Sequence, residues 1–358
     1  MTTFEVILLD MEIKKILAQL LFDSNASVVF STYKANKVVT IGSLNGTDLH
    51  KSATPLKKPM GIAVDKSNIA IACLDKLHFF SRKVSADNYS EIPTENFDSL
   101  YLHRAEYNTS VLDLHDIHFG HDLLWGINTV FSCLCTFDIN YSFIPKWKPN
   151  FISKIVPEDR CHLNGLVLID GVPKYSTSLS KTDFKEGWRA NINKSGILME
   201  IPSSRIIAEG LSMPHSPMLI DGELYILESG IGRLIKVDTK SGAKTTIHDF
   251  NRFVRGMTYI NGILIIGMSK IRENSKTFSQ LSVSTSSDIA GLILFNLRFG
   301  DKIGEIDLSN SVDEIYDVKV INGTKNPAII PKDHKLSKEI ITMPKNSFRV
   351  TRKRLEKN

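Results

Sequence analysis

Cysteine is scarce in this 358-residue chain, which contains only four. Their spacing fits neither a disulfide framework nor a zinc motif, so we interpret Cys73, Cys133, Cys135 and Cys161 as reduced, buried thiols of a cytoplasmic protein. No apolar run approaches the roughly 18 residues that a membrane span requires. The short apolar run 6–9 has no basic leader and is followed by acidic residues, which argues against a signal peptide.

An excess of one charge sign is also lacking. Forty-four Lys and Arg stand against 39 Asp and Glu, and much of the net charge of +5 lies in the tail 349–357. Nucleic-acid binding needs a basic face on the fold rather than a short basic tail, so we expect no nucleic-acid partner. The 42% of hydrophobic and 23% of charged residues exclude a disordered, collagen-like or coiled-coil chain.

Familiar catalytic motifs are missing too: there is no nucleophile elbow, P-loop, dinucleotide fingerprint or zinc-protease helix. What the chain does contain is a repeated pattern of an apolar-alternating strand, a tight turn and a second strand. Its six copies start at Met60, His115, Asn164, His215, Arg255 and Tyr316. Asp221-Gly222 and Asn261-Gly262 are typical of the hairpin turns, because type I′ turns need positive φ at both central residues. The spacing of about 40 to 60 residues favours four-stranded propeller blades.

We therefore predict an all-β fold, a six-bladed β-propeller. The sixth copy has little chain after it, so the strands predicted at 27–32 and 37–41 complete the last blade and close the ring. Residues 1–332 are predicted to form one propeller domain, with an amphipathic helix at about 11–22 outside the ring. Residues 333–358 are predicted to be a basic C-terminal extension.

Polar residues concentrate at one mouth of the predicted channel, where the first strands begin and the loops after the second strands open. Titratable candidates for catalysis are His115, His162, His215, Glu314 and Asp183, because acid–base chemistry needs groups whose pKa values neighbours can separate. The candidates for ligand binding are Asn128, Arg160, Asn164, Trp188, Arg189, Glu228, Arg255, Lys270, Arg272 and Tyr316. The alternative is structural: a histidine at a strand start is often a satisfied core residue, and the basic residues can pair with nearby carboxylates.

The three histidines also suggest a metal site. His115, His162 and His215 start strands in successive blades, so their rings are expected to converge near Glu314. Neutral imidazoles with a carboxylate suit one divalent ion, Zn, Mn, Fe or Ca, with a position left for water or substrate. The competing interpretation is that the histidines bind an anion directly, assisted by Arg189, Arg255 and Arg272, with no metal.

Two functions of different classes fit this mouth. One is an enzyme of hydrolase, lyase or isomerase type, acting on a small anionic or sugar-like molecule. The other is a non-catalytic scaffold for a peptide or protein. Trp188 is the only tryptophan at this mouth, so the rim is poor in aromatic anchors, which favours the enzyme.

Several of these candidate site residues lie in motifs that resemble those of a known family. The chain is similar to a bacterial family of conserved hypothetical proteins that share a domain of unknown function, through Leu114-His115-Asp116, Pro157–Gly165, Thr182-Asp183, Gly187-Trp188-Arg189, Met213–Pro217, Glu228-Ser229-Gly230 and Glu314–Val318. That family implies no chemistry. A looser likeness, through 162–166, is to lactonase and strictosidine-synthase propellers. It implies a divalent metal in the channel, with Asn164 and Glu314 among its ligands.

Overall fold

The computed structural model describes residues 3–84, 97–271, 277–343 and 346–349, with the backbone alone at 3–9, 83–84 and 346–349. A helix, α1 (Thr3–Asp23), begins earlier than the predicted helix at about 11–22. The first three strands follow it: β1 (Ala26–Thr32), β2 (Lys37–Gly42) and β3 (His50–Pro55).

Five blades then follow in chain order. Blade 1 contains β4 (Ile62–Val64), β5 (Asn68–Ala72), β6 (Lys76–Val84) and β7 (Ser99–Asn108). Blade 2 contains β8 (Leu114–Phe119), β9 (Leu124–Asn128), β10 (Cys133–Asp138) and β11 (Tyr141–Trp147). Blade 3 contains β12 (Leu163–Ile169), β13 (Val172–Ser178), β14 (Gly196–Glu200) and β15 (Ile206–Leu211).

Blade 4 contains β16 (Pro214–Ile220), β17 (Glu223–Glu228), β18 (Arg233–Val237) and β19 (Lys244–Asp249). Blade 5 contains β20 (Val254–Ile260), β21 (Ile263–Met268), β22 (Gly291–Asn296) and β23 (Asp301–Asp307). The chain ends with β24 (Val318–Asn322), β25 (Pro327–Ile330), α2 (Lys335–Glu339), β26 (Ile340–Met343) and β27 (Asn346–Arg349).

Blade 6 is assembled from both ends of the chain, which confirms the predicted closure. Strand β24 pairs with β1 in antiparallel register, with Val318 opposite Phe30, and β2 and β3 complete the sheet. The inner strands β4, β8, β12, β16, β20 and β24 contact one another in sequence around the ring, and β24 contacts β4. The prediction of a six-bladed β-propeller is therefore confirmed. Strand β25 was not predicted; it adds to blade 1 as a fifth strand, parallel to β7.

The second strand of each blade is buried on both faces, because its side chains point alternately towards the two neighbouring blades. In β5, Ile69 and Ile71 pack against residues of blade 6, whereas Ala70 and Ala72 face blade 2. Removing apolar surface from water on both faces stabilises the ring by about 25 cal/mol per Å² buried. Helix α1 packs outside the ring, where Ile13, Leu17 and Leu21 join a core between blades 5 and 6.

Inner strands pack closely because glycine recurs in every second blade. The second residue of the six repeats alternates between glycine and a polar side chain, in the order Gly61, Asp116, Gly165, Ser216, Gly256 and Asp317. A Cβ at Gly61 would lie 3.0 Å from the Cα of Asp116, and one at Gly256 would lie 3.0 Å from the Cα of Asp317. The ring thus has an approximate threefold pattern in addition to its six blades.

After residue 332 the described chain continues on blade 1. Leu336 and Ile340 pack against Leu100 and Leu102 of β7, so this part of the predicted extension contributes to a core. The boundary at residue 332 remains a prediction. No helix within the described ranges, α1 included, is both long enough and apolar enough to cross a membrane.

Candidate active site in the central channel

Two cavities lie along the channel and share one wall. The inner cavity has a volume of about 220 Å³. The mouth cavity is larger, about 500 Å³. His115, Arg255 and Tyr316 line both cavities, so these three side chains form the boundary between them. All three occupy the first position of their repeats, as expected for residues that line the channel.

In four of the six repeats, the residue two positions before the first does not continue the alternation of the inner strand. Lys58, Asp113, His162 and Met213 adopt left-handed backbone conformations, with φ between 47° and 53°. Such a residue turns the chain before the strand begins, and non-glycine residues rarely adopt this conformation. His162 therefore lines the mouth cavity, whereas His215, a first-position residue, lines the inner cavity.

His115 and His215 are held by the same hydrogen-bond arrangement in blades 2 and 4. The Nδ1 atom of His115 lies 3.0 Å from the carbonyl oxygen of Asp113 and 2.9 Å from Thr129 Oγ1. Thr129 Oγ1 donates its own proton to the carbonyl of Leu163 in blade 3, so it accepts from His115. Nδ1 therefore carries the ring proton. The other ring nitrogen, Nε2, is left without a proton and can accept a hydrogen bond.

In blade 4 the same roles are filled by Met213, Ser229 and Val254. His215 Nδ1 lies 2.9 Å from the Met213 carbonyl and 3.0 Å from Ser229 Oγ, which donates to the Val254 carbonyl. Burial lowers the pKa of His115 to about 3, and it lowers the pKa of His215 well below its ordinary value. Both rings are therefore neutral near pH 7 and weak bases.

His162 has a different environment. Its Nδ1 atom lies 2.8 Å from Asp159 Oδ2, which also accepts a hydrogen bond of 2.8 Å from Trp188 Nε1. The Trp188 ring lies 4.1 Å from the His162 ring, centroid to centroid, and the Arg189 guanidinium lies 4.2 Å above the Trp188 centroid. Asp159 is a member of the site that the sequence reasoning missed, although it belongs to the motif that carried the resemblance.

Arg255 has no carboxylate within salt-bridge distance among the residues that the structure describes. Its guanidinium lies 3.5 Å above the ring centroid of Tyr316, and the residue is half-buried. By contrast, Arg252 on the outside of blade 5 contacts both Asp288 and Glu305. The structural alternative, in which a basic residue forms a salt bridge with a nearby carboxylate, is therefore not met at Arg255, although Glu314 lines the same cavity and interacts with Arg255 electrostatically.

The predicted metal ligands are not gathered around one point. Glu314 and His162 line the mouth cavity, His215 and Asn164 line the inner cavity, and His115 lies between them. Among the described residues, the one group of three His, Cys, Asp or Glu ligand atoms within 4.8 Å of one another lies elsewhere, in blade 1. Glu314 instead accepts a hydrogen bond from the backbone N–H of Lys34, and burial raises the pKa of its carboxyl.

Four predicted site residues line neither cavity, because their side chains stabilise the surrounding loops: Asn128, Arg160, Asp183 and Glu228. Arg160 and Asp183 form a salt bridge of 2.7 Å with each other. Asn128 and Glu228 accept hydrogen bonds from the backbone N–H groups of Phe131 and Ser212. Lys270 and Arg189 do line the mouth cavity, and Arg272 lies outside the described residues.

A buried charged cluster crosses the inner cavity. Lys319 Nζ lies 3.6 Å from Asp116 Oδ1 and 3.3 Å from Asp317 Oδ1, and His118 Nε2 lies 3.0 Å from the same oxygen of Asp116. The other oxygens of the two aspartates accept hydrogen bonds from Leu166 and Ile62 of the neighbouring blades. The carboxylates therefore link blades as well as balancing the ammonium group.

Asn164 presents the inner cavity with a free donor. Its Oδ1 atom accepts a hydrogen bond of 2.6 Å from Thr177 Oγ1, whereas its buried Nδ2 has no hydrogen-bond partner within the described chain. Buried polar atoms are normally satisfied by protein, water or ligand. This amide, the Nε2 atoms of the two histidines and Arg255 together make the inner cavity a hydrogen-bonding site.

Residues 15–330 match a family model described as a domain of unknown function, DUF4915. The chain belongs to this family. No curated protein sequence matches the chain. Its fold is similar to that of a chain in the crystal structure of a nidogen/laminin complex, with 10% identity and a TM-score of 0.53, over 83% of this chain and 99% of that one.

A protein of unknown function from Bacteroides caccae is similar to the same extent. The identity is 11% and the TM-score 0.52, over 83% of this chain and 98% of that chain. At such identities the DUF4915 chain shares a propeller fold with these proteins, and the likeness gives no information about its ligand.

Proposed function

We propose that this DUF4915 propeller is an enzyme that binds a small hydroxylated organic anion at the channel mouth and transfers a proton with His162. The observation that carries the proposal is the half-buried Arg255, which lines both cavities without a carboxylate partner among the described residues. The Glu314 carboxylate interacts with Arg255 from beyond salt-bridge distance, so the guanidinium has no direct charge-assisted hydrogen bond to it, and a bound carboxylate or phosphate would supply one.

The ligand class follows from the two cavities. Arg255, Lys270 and Arg189 line the mouth; Arg189 pairs with Glu186 and Lys270 with Asp313, which leaves Arg255 to meet an anion. The inner cavity adds the Asn164 amide as donor and the Nε2 atoms of His115 and His215 as acceptors. A molecule with an anionic group and hydroxyl groups, such as a sugar acid, satisfies both sets of partners.

His162 is the best-placed general base. Asp159 accepts from Nδ1 of His162 and so holds Nε2 as the acceptor, the arrangement by which a carboxylate orients a catalytic imidazole. His115 and His215 are less suited to this role near pH 7, because burial holds their pKa values low. They serve in this proposal as neutral hydrogen-bond acceptors. A hydrolase, lyase or isomerase reaction would use such a base.

The scaffold alternative receives less support. Trp188, the one tryptophan predicted at this mouth, is only 3% exposed, and its indole N–H is committed to Asp159. Anchors of protein interfaces are exposed in the free protein and become buried on binding. A buried Trp188 instead positions His162 and Arg189.

The proposed compartment remains the cytoplasm. All four cysteines are free and buried, and burial raises the pKa values of Cys73, Cys133 and Cys161 to about 12. Inert buried thiols suit a reducing compartment.

Thermal-shift screening of the purified protein tests the ligand class. The panel contains sugar acids, lactones, neutral sugars, phosphate esters and peptides, and hits are measured by titration calorimetry. We expect sugar acids or phosphate esters to stabilise the protein and neutral sugars not to. Preferential stabilisation by peptides would favour the scaffold instead.

Two matched variants locate the site. Arg255→Gln is expected to weaken binding of the best anion by about 10- to 100-fold, from the roughly 1.5–3 kcal/mol of a charged hydrogen bond. Arg233→Gln is the control, since Arg233 contacts Asp249 on the outer strands of blade 4. Equal binding by both variants would exclude the channel mouth as the anion site.

A further inference from the structure

A compact group of possible metal ligands lies on the outer strands β6 and β7 of blade 1, away from the channel. It consists of His78, His103 and Glu106. Their ligand atoms all lie within 4.8 Å of one another, and all three residues are partly buried. They line a separate cavity of about 320 Å³, which is also bordered by Asp75 and Lys332. We propose that this group is a transition-metal site, with zinc as its best fit, and that it is independent of the channel.

The distances suit a tetrahedral ion. His78 Nδ1 lies 3.2 Å from His103 Nε2 and 4.0 Å from Glu106 Oε2. With metal–ligand bonds of roughly 2.0 Å, neighbouring ligands of a tetrahedral zinc lie about 3.3 Å apart. The two nitrogens already have nearly that separation, and Glu106 Oε2 has to approach His78 Nδ1 from 4.0 Å. Two imidazoles and one carboxylate match zinc ligand preferences.

A β-bulge creates the group. His103 and Glu106 are three residues apart on β7, so a regular strand would place them on opposite faces. The register shifts between Phe79 and Phe80 of β6: Phe79 pairs with Ala105 and Phe80 with His103. The extra residue turns His103 towards Glu106, which pairs directly with His78. Bulges often redirect a side chain at functional sites.

Aromatic packing holds the imidazole rings in place. The buried Phe80 ring meets His103 edge-on, with centroids 5.2 Å apart, and lies 6.4 Å from His78. Rings that are already oriented lose less conformational freedom when a metal binds. The cavity leaves room for a fourth ligand, so the proposed ion retains an open coordination position.

Two lysines form ion pairs with the Glu106 carboxylate in this structure. Lys76 Nζ lies 2.8 Å from Glu106 Oε1, and Lys332 Nζ lies 2.9 Å from Oε2, the oxygen nearer His78. A metal ion therefore competes with Lys332, whose side chain is 49% exposed and free to swing away. Removing this lysine should strengthen metal binding, which an arrangement without a metal would not predict.

The experiment titrates Zn²⁺ into chelator-treated full-length protein by calorimetry, and records the visible spectrum with Co²⁺. We expect one equivalent of Zn²⁺ and the intense absorption of tetrahedral Co²⁺. His78→Gln and His103→Gln should each weaken binding by more than the roughly 10- to 100-fold that losing a ligand's supporting hydrogen bond costs. His121→Gln, at an exposed histidine, is the control and should bind like the parent.

Lys332→Gln should bind Zn²⁺ more tightly than the parent protein. It retains all three ligands, so its result does not depend on whether the histidine variants fold. The proposal is overturned if neither the parent nor Lys332→Gln binds Zn²⁺, if Lys332→Gln binds more weakly, or if folded His103→Gln binds as tightly as the parent.

Discussion

Asp159 Oδ2 lies 2.8 Å from His162 Nδ1 at the mouth of the channel. The carboxylate comes from the loop before blade 3, and the left-handed conformation of both residues directs their side chains towards each other. This pair is the part of the channel most similar in geometry to a catalytic acid–base device. Its consequences can be measured before any substrate is known.

Asp159→Ala should lower the share of the Nδ1–H tautomer of His162. In the parent protein one oxygen, Asp159 Oδ2, accepts from both His162 Nδ1 and Trp188 Nε1, and alanine removes this acceptor. The tautomer of a neutral imidazole is set by the hydrogen bonds of its two nitrogens. Nitrogen NMR of histidine-labelled protein measures the tautomer directly, and Asp183→Ala, outside both cavities, is the matched control. An unchanged His162 tautomer in Asp159→Ala would contradict the proposed role of Asp159.

His115 should make the protein less stable in acid. Burial, opposed by Asp113 but reinforced by His162 and Arg255, holds the pKa of His115 at about 3, against an ordinary 6.5. Between these values the unfolded chain binds a proton that the folded protein does not, so the free energy of unfolding falls as the pH falls through this range.

His115→Gln removes this titration and should flatten that pH dependence. Urea unfolding across the range measures it, with the exposed His121→Gln as reference. An identical slope in His115→Gln and the parent protein would show that His115 does not contribute.

Lys319 should be essential to the stability of the buried charged cluster in the inner cavity. Lys319→Met leaves Asp116 and Asp317 buried together without their cation, and breaking such a group by removing one partner costs about 3–5 kcal/mol. Lys302→Met, which removes a surface pair with Glu305, should cost no more than about 1 kcal/mol. Denaturant unfolding compares the two variants.

The Lys319→Met variant should also recover stability as the pH is lowered. Burial already raises the pKa of Asp317, and losing the ammonium raises the pKa further, so the folded protein then binds protons more readily than the unfolded chain. A variant that loses stability at low pH as steeply as the parent would argue against a buried ion cluster.

Alanine substitutions at two glycines distinguish the cost of a steric clash between strands from the cost of backbone strain. Gly256 and Gly262 both have positive φ, 74° and 88°, so alanine at either position costs about 1–3 kcal/mol in backbone strain. Gly262→Ala meets no atom within 4 Å, whereas a Cβ at Gly256 lies 2.9 Å from Val318 N of blade 6. Thermal unfolding should show a clearly larger loss for Gly256→Ala. Equal losses would mean that the inner strands can separate at no cost.

The sequence was sufficient to predict the ring because its signals are local. Turns such as Asp221-Gly222 and alternating apolar strands determine hairpins, and the missing outer strands of the sixth copy required the N-terminal segment. Strand β25 was not predicted, because a parallel edge strand of four residues has no turn to mark it.

The site was predicted less completely. First-position residues such as His115 and Tyr316 lie in the channel as expected, but His162 lies at a different height, because a left-handed residue interrupts the strand alternation. Asp183 and Arg160 could not be distinguished from site residues by type, since their mutual salt bridge depends on loop conformation. The alternation of glycine with Asp116, Ser216 and Asp317 was visible in the sequence and would have identified the inter-blade contacts.

The most direct test of the account is a crystal structure with the tightest-binding anion from the screen. We expect its carboxylate or phosphate against Arg255, a hydroxyl within hydrogen-bond distance of Asn164 Nδ2, and a transferable proton facing His162 Nε2. An anion bound away from Arg255 at saturating concentration, with the channel mouth filled by water alone, would contradict the account.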